Sequence, residues 1–570
     1  MNKISYLRKL LYFAYKHNPI LAVFPIISTI SVLAELLAMM SLVPLSVIGT
    51  GQGINPQDPI VKVLNLIHLE PSPKCLVMVF CSLFIFRIVT NILGQNISLK
   101  YGKKVLAQLA SRAFCNIVKH CKIEEIEQKS IGHFISLAGD ESFRSSMIVI
   151  ELHQLISIST LGILYFALIF WYSPVTAISV FLFLICSSML MGTTFRRTHQ
   201  LGITQIQQSK SASTIFLDAL NGLRTVRSFF AEDFVVDAYQ NSMQSYTKTL
   251  YKIDLINILI KFIPIAFLFS ALAIFMVTGL FDKYAGQGLN FVFIITMILF
   301  LMRFFPVVGQ GLNVLMRLIS DAKAARDVIE IIDSQQGKRL GDRVISDKIT
   351  SLSIQDLTFS YKTGSPVFKD LNFNFESGKS YALVGPSGVG KSTLFNILAF
   401  LTDVQGGDLL INHESHKKFE IESLRKKVML VEQESIIFND TIFNNINLGE
   451  NYSSEKIKKA CQVACIDEFI DGLTDGYEFK LNYQGQNLSG GQRQRIGLAR
   501  AVLRHPDVIL LDEITSALDE STKRKVVESV LAHFRDKIVI FITHDRVVTE
   551  LVDVKLNLAT MEAQEIKQAS

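Results

Sequence analysis

The sequence predicts a membrane all-α domain of six helices with long helical extensions, followed by an α/β domain built on a phosphate-binding loop. Three observations carry this. Apolar residues make up 49% of the 570-residue chain, yet the long apolar runs lie in residues 19–312, whereas residues 334–570 read as an ordinary soluble domain. Six of those runs are long enough to cross a hydrocarbon core of about 30 Å. The segment GPSGVGKST (385–393) stands between a strand-like run, SYALVG, and a helix-like run, LFNILAFL.

The six apolar stretches lie near 19–48, 75–96, 146–172, 174–195, 255–281 and 291–312. The first is too long for a cleaved leader and lacks a small-residue cleavage site. Lys3, Arg8, Lys9 and Lys16 precede it, and the 97–145 connection is rich in lysine and arginine. The loops at 173 and 282–290 are short and nearly uncharged. The positive-inside bias therefore predicts that the N-terminus, both long connections and the second domain share the cytoplasmic side. The connections 97–145 and 196–254 hold few Pro or Gly and read as helical extensions. PIVKVLNLIHLE (59–70) reads as a short amphipathic helix at the outer surface. RLISDAKAARDVIEIID continues the sixth stretch as helix, and SQQGKRLGDR is a polar linker. The expected division is a membrane domain over 1–333, a linker over 334–349 and a second domain over 350–570. Seven cysteines without CxxC spacing predict free thiols. A net charge of +6 without a basic–aromatic pattern gives no reason to expect nucleic acid.

The second domain carries the legible chemistry. Gly385, Gly388 and Gly390 let the backbone curl so that its N–H groups converge on an anion. Lys391 then reaches the terminal phosphates of a nucleotide, and Ser392 supplies an oxygen for Mg²⁺. Pro386, Ser387, Val389 and Thr393 complete this candidate cradle. DVILLDE (507–513) reads as a buried strand ending in two acids, where ligands bind in open α/β sheets. Asp512 suits the metal shell, and Glu513 suits a general base for water. LSGGQRQR (488–495) is a second glycine-rich loop opening a helix, hence a second anion site.

The ordered set GPSGVGKST, Gln433 in LVEQESIIF, LSGGQRQR, ILLDE, SALD (516–519) and His544 in FITHD resembles the ATP-binding domain of ABC transporters. With six apolar stretches before it, the chain looks like an exporter half-transporter. The resemblance implies ATP and Mg²⁺ as ligands and a head-to-tail homodimer. In such a dimer Ser489, Gly490, Gly491 and Gln492 of one copy clasp the nucleotide held by Lys391 of the other. It also implies that Tyr361 stacks on adenine, that Gln433 links Mg²⁺ to the membrane domain, that His544 contacts the terminal phosphate, and that Asp519 belongs to the nucleotide site. One departure stands out. KLNYQGQN (480–487) places Tyr483 where exporters usually carry an acid, which bears on coupling rather than on ATP binding.

The substrate is expected in the first domain. Arg87, Lys261 and Arg303 lie at membrane depth, against Glu35 in the first stretch, and charges there are costly enough to mark a cavity or a partner. One reading pairs Arg87 with Glu35. The other makes the bases a path for a phosphate-bearing substrate. ISTISVLAELLAMMSLVPL and LMRFFPVVGQGLNVLMRL resemble the bacterial lipid-linked oligosaccharide and polysaccharide flippase branch. That resemblance implies an amphipathic, lipid-linked glycan moved across the bacterial inner membrane, in contact with membrane lipid. A lipid or multidrug exporter is the alternative. A peptide exporter with a processing domain ranks lower, because only about 18 residues precede the first stretch, as does an ATP-gated channel or regulator.

Overall fold

The computed structural model describes residues 3–49, 59–66, 68, 70–121, 123, 126, 129, 131–277, 291–333, 341–361, 366–560 and 562–565. The end of the fifth apolar stretch, the 282–290 loop and linker residues 334–340 lie outside the described residues. The chain divides into two compact units, Met1–Cys121 with Glu125–Gln335, and Lys122–Glu124 with Gln336–Ser570.

The described residues of the first unit are helical apart from short connections: α1 (Lys3–His17), α2 (Val23–Gly49), α3 (Pro59–Leu66), α4 (Pro73–His120), α5 (Ile131–Ser136), α6 (Ser142–Tyr172), α7 (Pro174–Asn221), α8 (Leu223–Ser228), α9 (Glu232–Val277) and α10 (Phe291–Asp333). Helices of 48, 48, 46 and 43 residues (α4, α7, α9, α10) far exceed the roughly 20 needed to cross a bilayer. Among the described residues, Pro19–Leu45, Pro73–His120, Ile131–Trp171 and Ile298–Asp333 combine the length and hydropathy for crossing. The fourth and fifth apolar stretches fall within α7 and α9, parts of whose side chains lie outside the description.

The extensions are less continuous than their composition predicts. α4 stops at His120, a π turn over Leu137–Glu141 precedes α6, and the chain breaks again at Gly222 and at Phe230, which takes φ 53°. The π turn is pinned by charge. Arg144 donates to Asp140 (3.1 Å), Gln205 (3.0 Å) and Asp321 (3.4 Å), while Lys210 meets Glu141 at 2.9 Å. α3 is shorter than its sequence pattern implies, and it buries Ile60, Val61 and Leu64 against the unit. Glycine sets one helix crossing: a Cβ on Gly309 of α10 would sit 2.5 Å from the Lys261 carbonyl oxygen of α9.

The described residues of the second unit form two sheets. β1 (Ser351–Phe359), β2 (Phe368–Glu376), β4 (Gly406–Ile411) and β5 (Glu414–Ser415) form an antiparallel sheet in the order β2-β1-β4-β5. The six-stranded sheet runs β10-β9-β3-β8-β7-β6, from β3 (Ser380–Val384), β6 (Val428–Val431), β7 (Val508–Asp512), β8 (Ile538–Ile542), β9 (Val554–Asn557) and β10 (Glu562–Glu565). β3, β6, β7, β8 and β9 pair in parallel, and β8 is buried over its whole length, as continuous apolar runs require. The helices around them are α11 (Lys391–Leu398), α12 (Ile421–Lys427), α13 (Ile442–Asn447), α14 (Ser454–Val463), α15 (Asp467–Asp471), α16 (Gly490–Arg504), α17 (Glu520–His533) and α18 (Arg546–Leu551).

Asp507, 4% exposed at the entrance to β7, ties three segments. It takes Lys537 at 2.8 Å and Lys427 at 3.1 Å, and accepts the Ile349 amide at 3.2 Å. Burial alone pushes its pKa up, but the hydrogen bonds from Lys537 and Lys427 outweigh that and hold the carboxyl below its usual range. Its stabilisation is therefore complete above pH about 4 and lost as pH falls through the lowered folded-state value. Asp507→Ala strands two lysines and should cost about 3 kcal/mol. Hydrogen exchange of the full-length protein should then speed up at the β7 and β8 amides. Asp507→Asn should flatten the acid-side loss of protection at those amides.

Candidate functional site

β3 delivers the phosphate loop from the centre of the six-stranded sheet, with Tyr381, Ala382 and Leu383 buried behind it. Gly388 and Gly390 take φ of 83° and 100°, a left-handed backbone that glycine adopts without strain. At Gly390 space also matters: a Cβ would meet Val367 at 2.6 Å and Phe368 at 2.8 Å. Lys391 opens α11, and its Nζ donates back to the carbonyls of Gly385 (2.7 Å) and Pro386 (3.2 Å). Those carbonyl oxygens stand in for the anion oxygens that an ammonium at this place would hold. Ser387 is exposed and Val389 packs on the core edge. Thr393 Oγ1 lies 3.0 Å from the Tyr361 hydroxyl. The Tyr361 ring, 45% exposed, stands edge-on to Phe359.

The two acids end β7. Ser392 Oγ donates to Asp512 Oδ2 at 3.4 Å. Burial, then the neighbouring Glu513 charge, raises the Asp512 pKa. Glu513 takes φ 45°, a conformation that costs a non-glycine residue of order 1 kcal/mol or more. Its amide donates to the Ile542 carbonyl (3.0 Å), and its Oε2 accepts from Gln433 Nε2 (2.8 Å). Gln494 of α16 stabilises this arrangement from below. Its Nε2 lies within donating distance of the Gln433 carbonyl (3.1 Å), the Glu513 carbonyl (3.4 Å) and Ser516 Oγ (3.1 Å). His544 follows β8 and is exposed.

Ser489 caps α16 through a reciprocal capping box: its hydroxyl accepts the Gln492 amide (3.2 Å), and Gln492 Oε1 accepts the Ser489 amide (2.8 Å). Gly490 and Gly491 pack against Ala517 and Leu518 so closely that a Cβ at Gly491 would sit 2.6 Å from Leu518. Asp519 caps α17, accepting from the Thr522 amide (3.1 Å) and Ser521 Oγ (2.5 Å). Among the described residues, no hydrogen bond joins the two glycine-rich loops. Tyr483, 62% exposed, precedes Gln484 at φ 53°.

The first unit encloses a cavity of about 970 Å³. Arg87, Asn91 and Gln95 line it from α4, Asp254, Asn257 and Lys261 from α9, and Gln310, Asn313 and Arg317 from α10. The three- and four-residue spacing puts each set on one helix face. Among the described residues, four acids (Glu35, Asp140, Asp254, Asp321) and four bases (Arg87, Arg144, Lys261, Arg317) share the lining with seven carboxamides. Glu35, 1% exposed, lies 2.6 Å from Arg87 and 2.8 Å from Arg303, and Arg303 is not among the lining residues.

Residues 368–516 match the ABC transporter family, and residues 23–307, half of the chain, match the ABC transporter transmembrane region. The chain belongs to the ABC transporters. This ABC transporter is 30% identical over 388 residues to the heterocyst differentiation ATP-binding protein HepA of Nostoc sp., covering 67% of this chain and 62% of that protein. It is 30% identical over 361 residues to the ATP-dependent lipid A-core flippase of Alcanivorax borkumensis (63% and 62%). Against the flippase of the same name from Photobacterium profundum it is 36% identical over 224 residues (39% and 38%). The matched stretches thus span less than two thirds of these relatives. A bacterial Atm1-family ABC exporter with ATP bound shares the fold at a TM-score of 0.77 and 22% identity, over 97% of this chain and 93% of that one.

In this transporter the motif residues fall where strands end and helices begin, as the sequence pattern requires. Gln494 had no signal of its own beyond its place in the LSGGQRQR run, and only its burial gives it away. Gln494→Ala removes a donor placed near three acceptors and should cost about 1–3 kcal/mol locally. ATP turnover should then fall by about tenfold with ATP affinity little changed, a split readable from kcat and a nucleotide titration.

Proposed function

We propose that this chain is an ATP-hydrolysing exporter or flippase that moves an amphipathic, phosphate-bearing lipid-linked glycan across the bacterial inner membrane. The carrying observation is the cavity: Arg87 and Lys261 offer charge to a phosphate, and seven carboxamides offer paired donors and acceptors to sugar hydroxyls. The relatives named lipid A-core flippases support movement of a lipid. The same relatives favour a second reading, a lipid exporter without glycan preference. We place the membrane domain in residues 1–333, the linker in 334–349 and the ATP-binding domain in 350–570, the last on the cytoplasmic side.

The proposed chemistry uses this chain's own groups. The backbone N–H groups of Ser387–Gly390 and the Lys391 ammonium bind the nucleotide phosphates once Lys391 releases its loop carbonyls. Tyr361 offers its exposed ring to the base. Ser392, Gln433 and Asp512 suit Mg²⁺, because hard oxygen donors converge there and burial beside the Glu513 charge leaves Asp512 with a raised pKa that a bound cation would offset. Bound there, the ion would supply positive charge that offsets the phosphate oxygens. Glu513 takes a proton from the attacking water, and His544 donates to the developing terminal phosphate. Two copies of the chain pair so that the α16 N-terminus of one, with Ser489, Gly490, Gly491 and Gln492, closes on the phosphates of the other; Asp519 lies at that junction.

Glu513→Gln should lower ATP turnover by about 10²-fold or more while ATP binding persists, because it removes the base and leaves the cradle. Lys391→Ala should instead weaken ATP binding. Wild-type turnover in Glu513→Gln would contradict the assignment. For the substrate, ATPase activity is measured in liposomes with three additions offered separately. Stimulation by a pyrophosphate-linked glycan lipid is expected. Stimulation only by lipid A-like lipids would favour the second reading, and stimulation only by neutral drugs would contradict both.

A further inference from the structure

The three membrane-depth bases are not equivalent. Glu35 Oε1 accepts from Arg303 Nε (2.8 Å) and the Tyr165 hydroxyl (3.1 Å), and lies 2.8 Å from Arg303 Nη2. Its other oxygen, Oε2, lies 2.6 Å from Arg87 Nε. Arg303 therefore turns two nitrogens on one oxygen of Glu35, and it is not among the cavity-lining residues. Arg87 commits only Nε, and among the described residues its terminal nitrogens have no acceptor, although Arg87 itself lines the cavity. Lys261 lines the same cavity and, among the described residues, forms no ion pair; its Nζ lies 5.5 Å from the Phe262 ring.

We propose that Glu35 is the cavity's built-in counterion, competing with an anionic headgroup for Arg87, and that Arg303 is a positioning residue that restrains Glu35 rather than a contact for the headgroup. The inference rests on the anionic substrate proposed above. One carboxylate shared by two guanidiniums cannot satisfy both bidentately. Arg303 and Tyr165 hold Oε1, so Arg87 receives one oxygen and keeps its fork for a ligand. Without Arg303, Glu35 is free to turn both oxygens to Arg87 and close the anion site. Without Glu35, the whole Arg87 charge faces the cavity.

The test is a double-mutant cycle on the full chain in neutral detergent. Its probes are a polyprenyl pyrophosphate-linked disaccharide and the same disaccharide on an uncharged polyprenyl chain. Arg303→Gln should weaken the charged probe about tenfold, and Glu35→Gln should tighten it by a similar factor. The double variant should bind at least as tightly as wild type, because Arg303 has nothing left to restrain. The uncharged probe should not distinguish the four proteins. An equal loss from Arg303→Gln with and without Glu35 would mean direct contact and overturn the proposal, as would parallel changes for both probes. Should Glu35→Gln fail to fold, Tyr165→Phe removes one of the donors that hold Oε1 while keeping every charge. It should weaken the charged probe alone, and no change would overturn the proposal. Should wild type bind neither probe, the glycan reading fails by itself. The counterion is then read with dodecyl phosphate in a Lys391→Ala background, where Glu35→Gln must still bind it more tightly, and no gain would overturn the proposal.

Discussion

Everything in the ATP-binding unit depends on the parallel register of three buried strands. Leu383 of β3 pairs with Ile542 of β8, and Ile542 pairs with Asp512 of β7. One row across the sheet thus sets the level at which all three chains leave it. The residues that follow, Gly385, Glu513 and His544, are ones given roles at the nucleotide in the proposal above. A one-residue slip would turn each strand's side chains over and separate the lysine loop from the carboxylates. Buried runs such as Val508–Leu511 and Ile538–Ile542 make such a slip costly, since no face of them tolerates water. Strain is tolerated at the end of that row: Glu513 adopts its unfavourable φ because the Ile542 carbonyl, Gln433 and Gln494 hold it from three sides.

The membrane unit solves a different problem, which is how to keep charge in an apolar surrounding. Among the described residues its cavity lining sets four acids beside four bases, and Glu35 binds helices α2, α4, α6 and α10 through one carboxylate. A closed ion pair needs no visitor. An arginine that spends one nitrogen of its fork, beside a lysine without an ion pair among the described residues, still offers charge to one. That charge, paired with the lining carboxamides, is what the proposed glycan headgroup would use.

Much of this was legible in the sequence, for a physical reason. The phosphate loop, the DE pair after a buried strand and the serine before a glycine-opened helix are local: each needs particular residue types at fixed spacing. The long helices were legible because apolar runs and a shortage of Pro and Gly are properties of single segments. What stayed hidden is non-local. Nothing in the spacing of Arg87 and Arg303 says that both reach Glu35, or that only Arg87 then lines the cavity. Gln494 looks like any polar residue on an amphipathic helix until its burial beneath Gln433 and Glu513 is seen. The breaks near 121 and 230 and the π turn at 137–141 were invisible for the converse reason: charge contacts such as Arg144 with Asp321 fix backbone geometry that propensity does not encode.

The central claim is that hydrolysis at the β7 carboxylates drives a phosphate-bearing glycan lipid through the charged cavity. The most direct measurement is the number of pyrophosphate-linked glycans moved per ATP hydrolysed in proteoliposomes, for wild type and for Arg87→Ala. The account predicts that Arg87→Ala lowers that ratio about tenfold or more while basal hydrolysis holds, since the substitution lies in the membrane unit and touches no residue of the phosphate loop. An unchanged ratio would contradict it.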